Sequence, residues 1–452
     1  MDTIGLHTVA LPDGSPKNLK LTVLYALVFS LQAFAIGWLL SYFKISNAII
    51  GDFYAAIAAI LLLSNIFGFG SDRFLTIQVT RLKKFYLNSL RSNLQRIFVF
   101  FFGLFLMVGL ITLVLDGIVF VIFHHSPQLI HNKFSHPVEL CFFCVFFFML
   151  ANFMAAFLQS EGYHNPVMKI AIYCYLLRIV LVYLILVWDV KFSTNIDKDY
   201  DLVITLCLAV SSVELVRIIG YGQHIYRYLQ RIKSFSENNI DNGWKKDIWL
   251  YALLSLQYDW VVVAIIIQEM VGNNEHFVGV LGNVLVMVRL FSLLGRVFQQ
   301  NTRDGLAQAV IYNLQLKRQL RRNFLIYGGL IGLLWLLLIS FSVMIAKHYQ
   351  VTDYLSEVRN LITVAAIKAI VETVFLVVIF AYSRKIMQLY TYAATAIYLV
   401  FVAKLVLYPS LLIANLIDTF LVFYWLITVL ELILGLSIIS SAKFKRIKRL
   451  LV

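Results

Sequence analysis

The segment "IFVFFFGLFLMVGLITLVLDGIVFVI", residues 97–122, contains a single charged residue, Asp116, and is otherwise almost entirely apolar. A helix needs about 20 such residues to cross the hydrocarbon core of a bilayer. The rest of the chain is similar, since 61% of its 452 residues are hydrophobic and only 14% are charged. A soluble protein of this length would need more polar surface. The sequence therefore predicts an all-α, polytopic membrane protein.

Comparable apolar runs predict about twelve membrane-spanning helices in total. They lie near residues 20–41, 49–69, 97–122, 138–158, 167–188, 201–221, 248–268, 276–299, 324–346, 358–381, 388–408 and 411–438. The polar stretch that begins at Gly222 separates two sets of runs. We therefore expect an N-terminal lobe over residues 1–221, a cytoplasmic linker over 222–247 and a C-terminal lobe over 248–452. Many transporters consist of two such halves with the substrate site between them.

Lysine and arginine residues predict the orientation, because they accumulate on the cytoplasmic side of membrane proteins. The formal net charge is +14, and one alternating set of segments between the runs holds about 26 of the 38 lysine and arginine residues. The opposite segments hold only Lys44, Lys133, Lys191, Lys198 and Lys347. Both termini should therefore be cytoplasmic. The basic residues lie in short blocks without a soluble basic domain, so we expect membrane lipids and not nucleic acid as partners.

Four arginines lie well away from the ends of predicted spans or on one helical side of a span, where an unpaired charge costs several kcal/mol or requires a polar cavity. Arg289 and Arg296 are seven residues apart and therefore lie along one side of a helix. Arg178 and Arg217 add positive charge to the N-terminal half. These residues could line a cavity that attracts an anionic substrate. They could also be neutralised, as Glu214 three residues before Arg217 suggests.

Acidic residues in the spans are candidates for ion coupling. Lys368 and Glu372 share a helical face, which fits either a structural ion pair or a site for H⁺ or Na⁺. Asp259 lies within another predicted span and could bind a coupling cation or pair with an arginine. Asp418 and Glu431 have no charged neighbours in the sequence of their span and receive no role.

The chain contains none of the motifs that indicate an enzyme, a metal site or a cofactor. It has no phosphate-binding loop, no Ser/His/Asp motif and no pair of metal ligands at helical spacing. Cys141 and Cys144 have a CxxC spacing, but they lie in an apolar run without a partner pair, which indicates buried thiols. We therefore expect neither catalysis nor a resident metal or cofactor.

The segment from Asn65 to Phe85 follows an apolar run with glycines and then basic residues. We expect Gly70 to let the chain turn at the cytoplasmic surface and the next residues to lie along the lipid headgroups. Arg73 would anchor this segment, with contact to the substrate as an alternative role. An apolar stripe at helical spacing supports the expectation, and its members are Leu75, Val79, Leu82, Tyr86 and Leu90.

Three stretches, residues 50–84, 155–183 and 256–298, resemble the polysaccharide transporter family. That family comprises O-antigen and exopolysaccharide flippases within the multidrug/oligosaccharidyl-lipid/polysaccharide (MOP) exporter superfamily. The resemblance rests on a Gly-Xaa-aromatic start to the second helix, a small-residue turn with basic residues, and an acid in the seventh helix. The matching positions are Gly51, Phe53, Gly70, Arg73, Arg81 and Asp259. The stretch after Arg296 lacks the proline that is common there in the family.

The resemblance implies two six-helix lobes around a central cationic cavity. It implies a flippase of the bacterial inner membrane that moves a polyprenyl-pyrophosphate-linked oligosaccharide by alternating access, coupled to an ion gradient and working beside glycan polymerase machinery. Arg289, Arg296, Arg178 and Arg217 would contact the substrate. The alternatives are a MATE-like exporter of small molecules, which should have acids in its cavity, and a membrane glycan polymerase or ligase, which should have a larger external loop.

Overall fold

The computed structural model describes residues 19–46, 90–125, 144–192, 198–231, 317–349, 352–383 and 416–440, with isolated positions between 49 and 82 and between 290 and 295. These residues form nine α-helices and one short 3₁₀ turn, Thr352–Tyr354, and they contain no strand. The helices are α1 Leu19–Tyr42, α2 Leu90–His125, α3 Cys144–Ser160, α4 His164–Phe192, α5 Lys198–Arg231, α6 Lys317–Ser340, α7 Ser342–His348, α8 Leu355–Ser383 and α9 Leu416–Ser440.

Several helices have the length and apolar composition that a bilayer requires. Among the described residues, the segments Leu90–Leu115, His164–Asp189 and Leu202–Gln230 qualify as spans. The bent pair Phe324–Ser340 and Ser342–His348 qualifies together as one broken span. The prediction of an all-α, polytopic membrane protein is confirmed. The count of about twelve spans stays a prediction, because several of the runs lie largely outside the described residues.

The turn between α3 and α4 folds the chain back on itself within three residues. Gly162 adopts φ 85°, a left-handed conformation that glycine reaches without steric cost. The backbone N–H of Tyr163 donates to the carbonyl of Leu158 at 2.9 Å and satisfies one of the last acceptors of α3. Pro166 lies in the first turn of α4, where its missing N–H leaves no bond unmade.

The predicted span at 324–346 is not a straight helix. Its axis bends by 67° between α6 and α7, at Phe341. No proline occurs in the described segment 317–349, so the break lies at a Ser-Phe-Ser sequence instead. The Nε of Arg359 in α8 donates to the hydroxyl of Ser342 at 2.8 Å and holds the first residue of α7 in place.

The helices pack around two apolar cores. The first core joins α2, α3 and α5 with parts of α1 and α4, and the second joins α6, α7 and α8. Tyr25 of α1 and Tyr175 of α4 belong to the second core, although both precede the predicted linker. α1 and α4 therefore lie at the border between the two halves of the chain.

The structure bears on the expected linker and on the segment expected at the lipid headgroups. Helix α5 continues to Arg231, so the first part of the expected linker is helical. The remainder of 222–247 lies outside the described residues, and the division into two lobes stays a prediction. Leu75, Val79 and Leu82 are fully buried in the first core, so their stripe packs against protein and does not face the headgroups. An apolar stripe fits both environments equally well.

Candidate functional site

Arg178, Glu214 and Arg217 form a charged cluster between α4 and α5, near the middle of both helices. Arg217 and Glu214 lie one turn apart on α5, and Nη1 of Arg217 donates to the two carboxylate oxygens of Glu214 at 2.8 and 3.1 Å. Arg178 reaches the same carboxylate from α4 and forms a second ion pair. One carboxylate thus serves two guanidinium groups.

The cluster is closed off from solvent and lipid. Arg178 and Arg217 are each 6% exposed and Glu214 is 0% exposed. Helix α1 supplies one polar partner, since Nη1 of Arg178 donates to the side-chain oxygen of Gln32 at 3.3 Å. Among the described residues, Nε of Arg178 has no hydrogen-bond partner, and its Nη2 makes only the ion pair with Glu214. Within the described part of the chain, the three ionisable side chains carry one surplus positive charge, and Nε of Arg178 is a donor without an acceptor.

Aromatic rings surround the guanidinium groups. The Cζ atom of Arg178 lies 5.4 Å from the ring centre of Tyr175 and 5.5 Å from that of Phe148. Arg217 lies 5.5 Å from the ring of Tyr221, whose hydroxyl accepts from its Nε at 3.4 Å. Aromatic faces attract cations, and the attraction is stronger where water is excluded. The rings therefore stabilise the buried charges and give the cluster apolar walls.

A second charged cluster lies between α8 and α9. The Nζ of Lys368 is 3.0 Å from an oxygen of Glu372 and 3.6 Å from an oxygen of Glu431. Glu372 is 8% exposed and Glu431 is 0% exposed. The pairing of Lys368 with Glu372 is the one expected from their spacing. Glu431 joins it from another helix, so one ammonium group faces two carboxylates.

A contact between α1 and the end of α7 links the two halves of the chain. It lies near the C-terminal end of α6, whereas the basic residues of α6 are at its N-terminal end. The rings of Trp38 and His348 stack with centres 3.7 Å apart and an interplanar angle of 13°. Nε2 of His348 lies 3.1 Å from the carbonyl oxygen of Trp38, and the Tyr349 hydroxyl donates to the carbonyl of Phe34 at 3.2 Å. The bend before α7 directs these residues onto α1.

The described residues include four of the candidates from sequence. Arg178 and Arg217 come together in the first cluster, and Lys368 and Glu372 come together in the second. Arg73, Arg289, Arg296 and Asp259 lie outside the described residues.

Sequence reasoning missed Gln32, Tyr175 and Glu431 as members of the clusters. Gln32 and Glu431 gave one usable signal, which is a polar side chain in the middle of an apolar run. Tyr175 gave none, since aromatic residues are abundant throughout this chain. Among the described residues, no group of His, Cys, Asp and Glu is arranged to hold a metal ion.

The arrangement can be compared with known proteins. Residues 85–184 match the MatE family model, which is less than half of the chain. No curated protein is similar to this chain by sequence.

Solved structures match over nearly the whole chain. A MATE crystal structure in complex with Br-NRF is 15% identical, with a TM-score of 0.62 over 96% of this chain and 99% of its own. A MOP superfamily transporter from Pyrococcus furiosus is 16% identical, with a TM-score of 0.62 over 96% and 98%. An outward-facing multidrug resistance MATE transporter is 13% identical, with a TM-score of 0.58 over 96% and 98%. This chain therefore has the fold of the MATE transporters of the MOP superfamily.

Proposed function

We propose that this protein is a membrane transporter that works by alternating access and holds a negatively charged group of its substrate at Arg178 and Arg217. One observation carries the proposal: two guanidinium groups share one carboxylate in a buried cluster near the middle of two spans. The fold and the match to the MatE model support transport over catalysis.

The charge balance favours a binding role over a purely structural one. A single Arg–Glu pair would be neutral, whereas the second guanidinium leaves one positive charge among the described side chains of the cluster, in a medium that solvates it poorly. Charged residues at membrane depth usually mark a substrate or ion pathway for this reason. An anion that reached Arg178 would neutralise the surplus and could use its free Nε donor.

The border position of α1 and α4 suits alternating access. Arg178 lies on α4 and its partner Gln32 lies on α1, and both helices also pack against the second core. A movement of one half against the other would therefore change the surroundings of the cluster. The contact of Trp38 with His348 and Tyr349 must break when that end of the protein opens.

The cluster of Lys368, Glu372 and Glu431 is the proposed site of ion coupling. Two buried carboxylates lie close to one ammonium group, and carboxylates that share a site repel each other, which favours uptake of a proton or a small cation by one of them. The membrane potential also contributes to the energetics, because an anion that leaves a negatively charged interior gains about 2.3 kcal/mol per unit charge for each 100 mV.

A small amphiphilic anion is our first candidate substrate, and a lipid-linked oligosaccharide is the second. The MATE-like reading agrees with the comparisons, which give no support to the polysaccharide branch. The arginine cluster departs from the acids expected for an exporter of cations. The Pyrococcus furiosus transporter is described as having a binding pocket of reverse polarity that suggests a different function, so the fold tolerates a change of charge. The pyrophosphate of a glycan carrier would also suit guanidinium groups.

The test uses purified protein in proteoliposomes loaded with naphthalene-2-sulfonate as the anionic probe or ethidium as the cationic probe. We expect efflux of the sulfonate above that of protein-free vesicles. Arg178→Gln should reduce it at least tenfold, since a hydrogen bond to a charged group contributes about 1.5–3 kcal/mol. Arg227→Gln is the matched control, because Arg227 is exposed on α5. Efflux of ethidium without the sulfonate would overturn the proposed anionic substrate.

The second candidate is tested in the cell of origin. If the substrate is a lipid-linked oligosaccharide, a deletion strain complemented with Arg178→Gln should lose its surface glycan while the strain with Arg227→Gln keeps it. Normal surface glycan in the deletion strain itself would remove this candidate.

A further inference from the structure

We propose that Glu214 determines the charge of the transported group and limits it to a single negative charge. This inference rests on the proposed function, in which Arg178 and Arg217 hold an anion. It assigns to Glu214 the role of a specificity-determining residue, and it narrows the substrate class to monoanions with an aromatic or similarly flat apolar body.

The position of Glu214 fixes the charge of the cluster. Both of its oxygens are engaged by Arg217, and Arg178 approaches the same carboxylate from the neighbouring helix. The side chain is 0% exposed and cannot turn to water without leaving both guanidinium groups unpaired. The carboxylate therefore remains in the site while a substrate binds, and it cancels one of the two positive charges.

The surplus of one charge then selects among anions. In a poorly solvated site, the most favourable ligand is the one that brings the total charge to zero. A monoanion does so, whereas a dianion leaves a negative charge that Glu214 repels at close range. Guanidinium groups bind pyrophosphate in general, but by this argument the pyrophosphate of the second candidate substrate is a poorer ligand for this cluster than a monoanion, because it carries more than one negative charge.

The Nε donor of Arg178 and the aromatic rings beside its guanidinium indicate where and how the anion is held. Among the described residues, Nε of Arg178 has no hydrogen-bond partner, whereas its Nη1 donates to Gln32 and its Nη2 forms the ion pair with Glu214. The rings of Tyr175 and Phe148 lie against that guanidinium. A flat apolar group attached to the anion would pack between rings of this kind.

The experiment compares naphthalene-2-sulfonate with naphthalene-2,6-disulfonate, which share one aromatic body and carry one and two negative charges. The full-length protein is reconstituted in proteoliposomes at pH 7, where both sulfonates are fully ionised, and the concentration for half-maximal transport is measured for each. We expect the wild type to prefer the monoanion. In Glu214→Gln, which removes the carboxylate with little change of shape, the preference should shift toward the dianion by roughly tenfold or more.

The controls separate charge from structure. Ser211→Ala changes a buried side chain one turn away on α5 and should keep the wild-type preference. The double variant Arg217→Gln with Glu214→Gln restores one surplus positive charge and keeps the Nε donor of Arg178. It should therefore prefer the monoanion again. It also tests the inference if Glu214→Gln alone fails to fold because two buried guanidinium groups are left without a carboxylate.

The outcomes for the inference and for the proposed function are distinct. If the wild type transports neither sulfonate, the proposed anionic substrate fails. If the wild type transports both and Glu214→Gln leaves their ratio unchanged, the role of Glu214 is overturned while the proposed function stands. If Glu214→Gln does not fold, a double variant that prefers the dianion overturns the role of Glu214 in the same way.

Discussion

The contact between α1 and α7 provides the sharpest test of alternating access, through the substitution His348→Ala. This change removes a ring stacked on Trp38 at 3.7 Å and the hydrogen bond between Nε2 and the Trp38 carbonyl. An aromatic pair contributes about 0.5–1.5 kcal/mol beyond its buried area, and a neutral hydrogen bond contributes a similar amount. The sum of about 1–3 kcal/mol corresponds to a shift of roughly 5- to 150-fold toward the open state.

The assay is the rate at which a membrane-impermeant maleimide labels a cysteine introduced at Ala346. Ala346 lies on α7 and is 1% exposed, so it should react only when the contact opens. The four native cysteines are first replaced by alanine. Labelling should accelerate in His348→Ala by the factor given above, if opening and closing are fast relative to the reaction.

A matched histidine controls for the substitution itself. His224 lies on α5, away from the contact between α1 and α7, and its ring is near Tyr163. His224→Ala should leave the labelling rate unchanged. An unchanged rate in a folded His348→Ala protein would refute the view that this contact holds the two halves together.

Two further substitutions test the charged cluster of the C-terminal half and the turn between α3 and α4. Lys368→Met should lower the free energy of unfolding by about 3–5 kcal/mol, because Glu372 and Glu431 lose the ammonium group that they share. Adding Glu372→Gln and Glu431→Gln to this variant should restore most of the loss. Thermal unfolding in detergent measures the single and the triple variant, and no recovery in the triple variant would contradict the pairing. Gly162→Ala should cost about 1–2 kcal/mol, since its φ of 85° is strained for a residue with a side chain. Gly103→Ala in α2, where an added methyl meets nothing within 4 Å, should instead be neutral or slightly stabilising, and equal effects of the two substitutions in the same assay would contradict the strain.

Local sequence carried enough information to predict the helices and the short-range pairs. The apolar run at 97–122 is too long and too uniformly apolar for anything but a span, and the structure has a helix over Leu90–His125. Lys368 with Glu372, and Glu214 with Arg217, were predictable because three- and four-residue spacings place side chains on one helical face. Such pairs depend on helix geometry alone.

Contacts between distant segments were not predictable in this way. Gln32 meets Arg178 and Glu431 meets Lys368 only because particular faces of α1 and α4, and of α8 and α9, pack together. The described segment around the bend at Phe341 contains no proline, so no signal in the sequence indicated the bend or the contact of His348 with Trp38 that depends on it.

The sequence by itself determined that the chain is an all-α membrane protein, and it predicted most of the described helices and the charged residues within them. The tertiary structure decided which helices meet, and therefore that Glu214 is shared by two arginines and that Leu75 packs into a protein core. The physical reason is that lipid and protein interior are equally apolar. Hydrophobicity places a segment in the membrane, but it does not distinguish the face that contacts lipid from the face that contacts another helix.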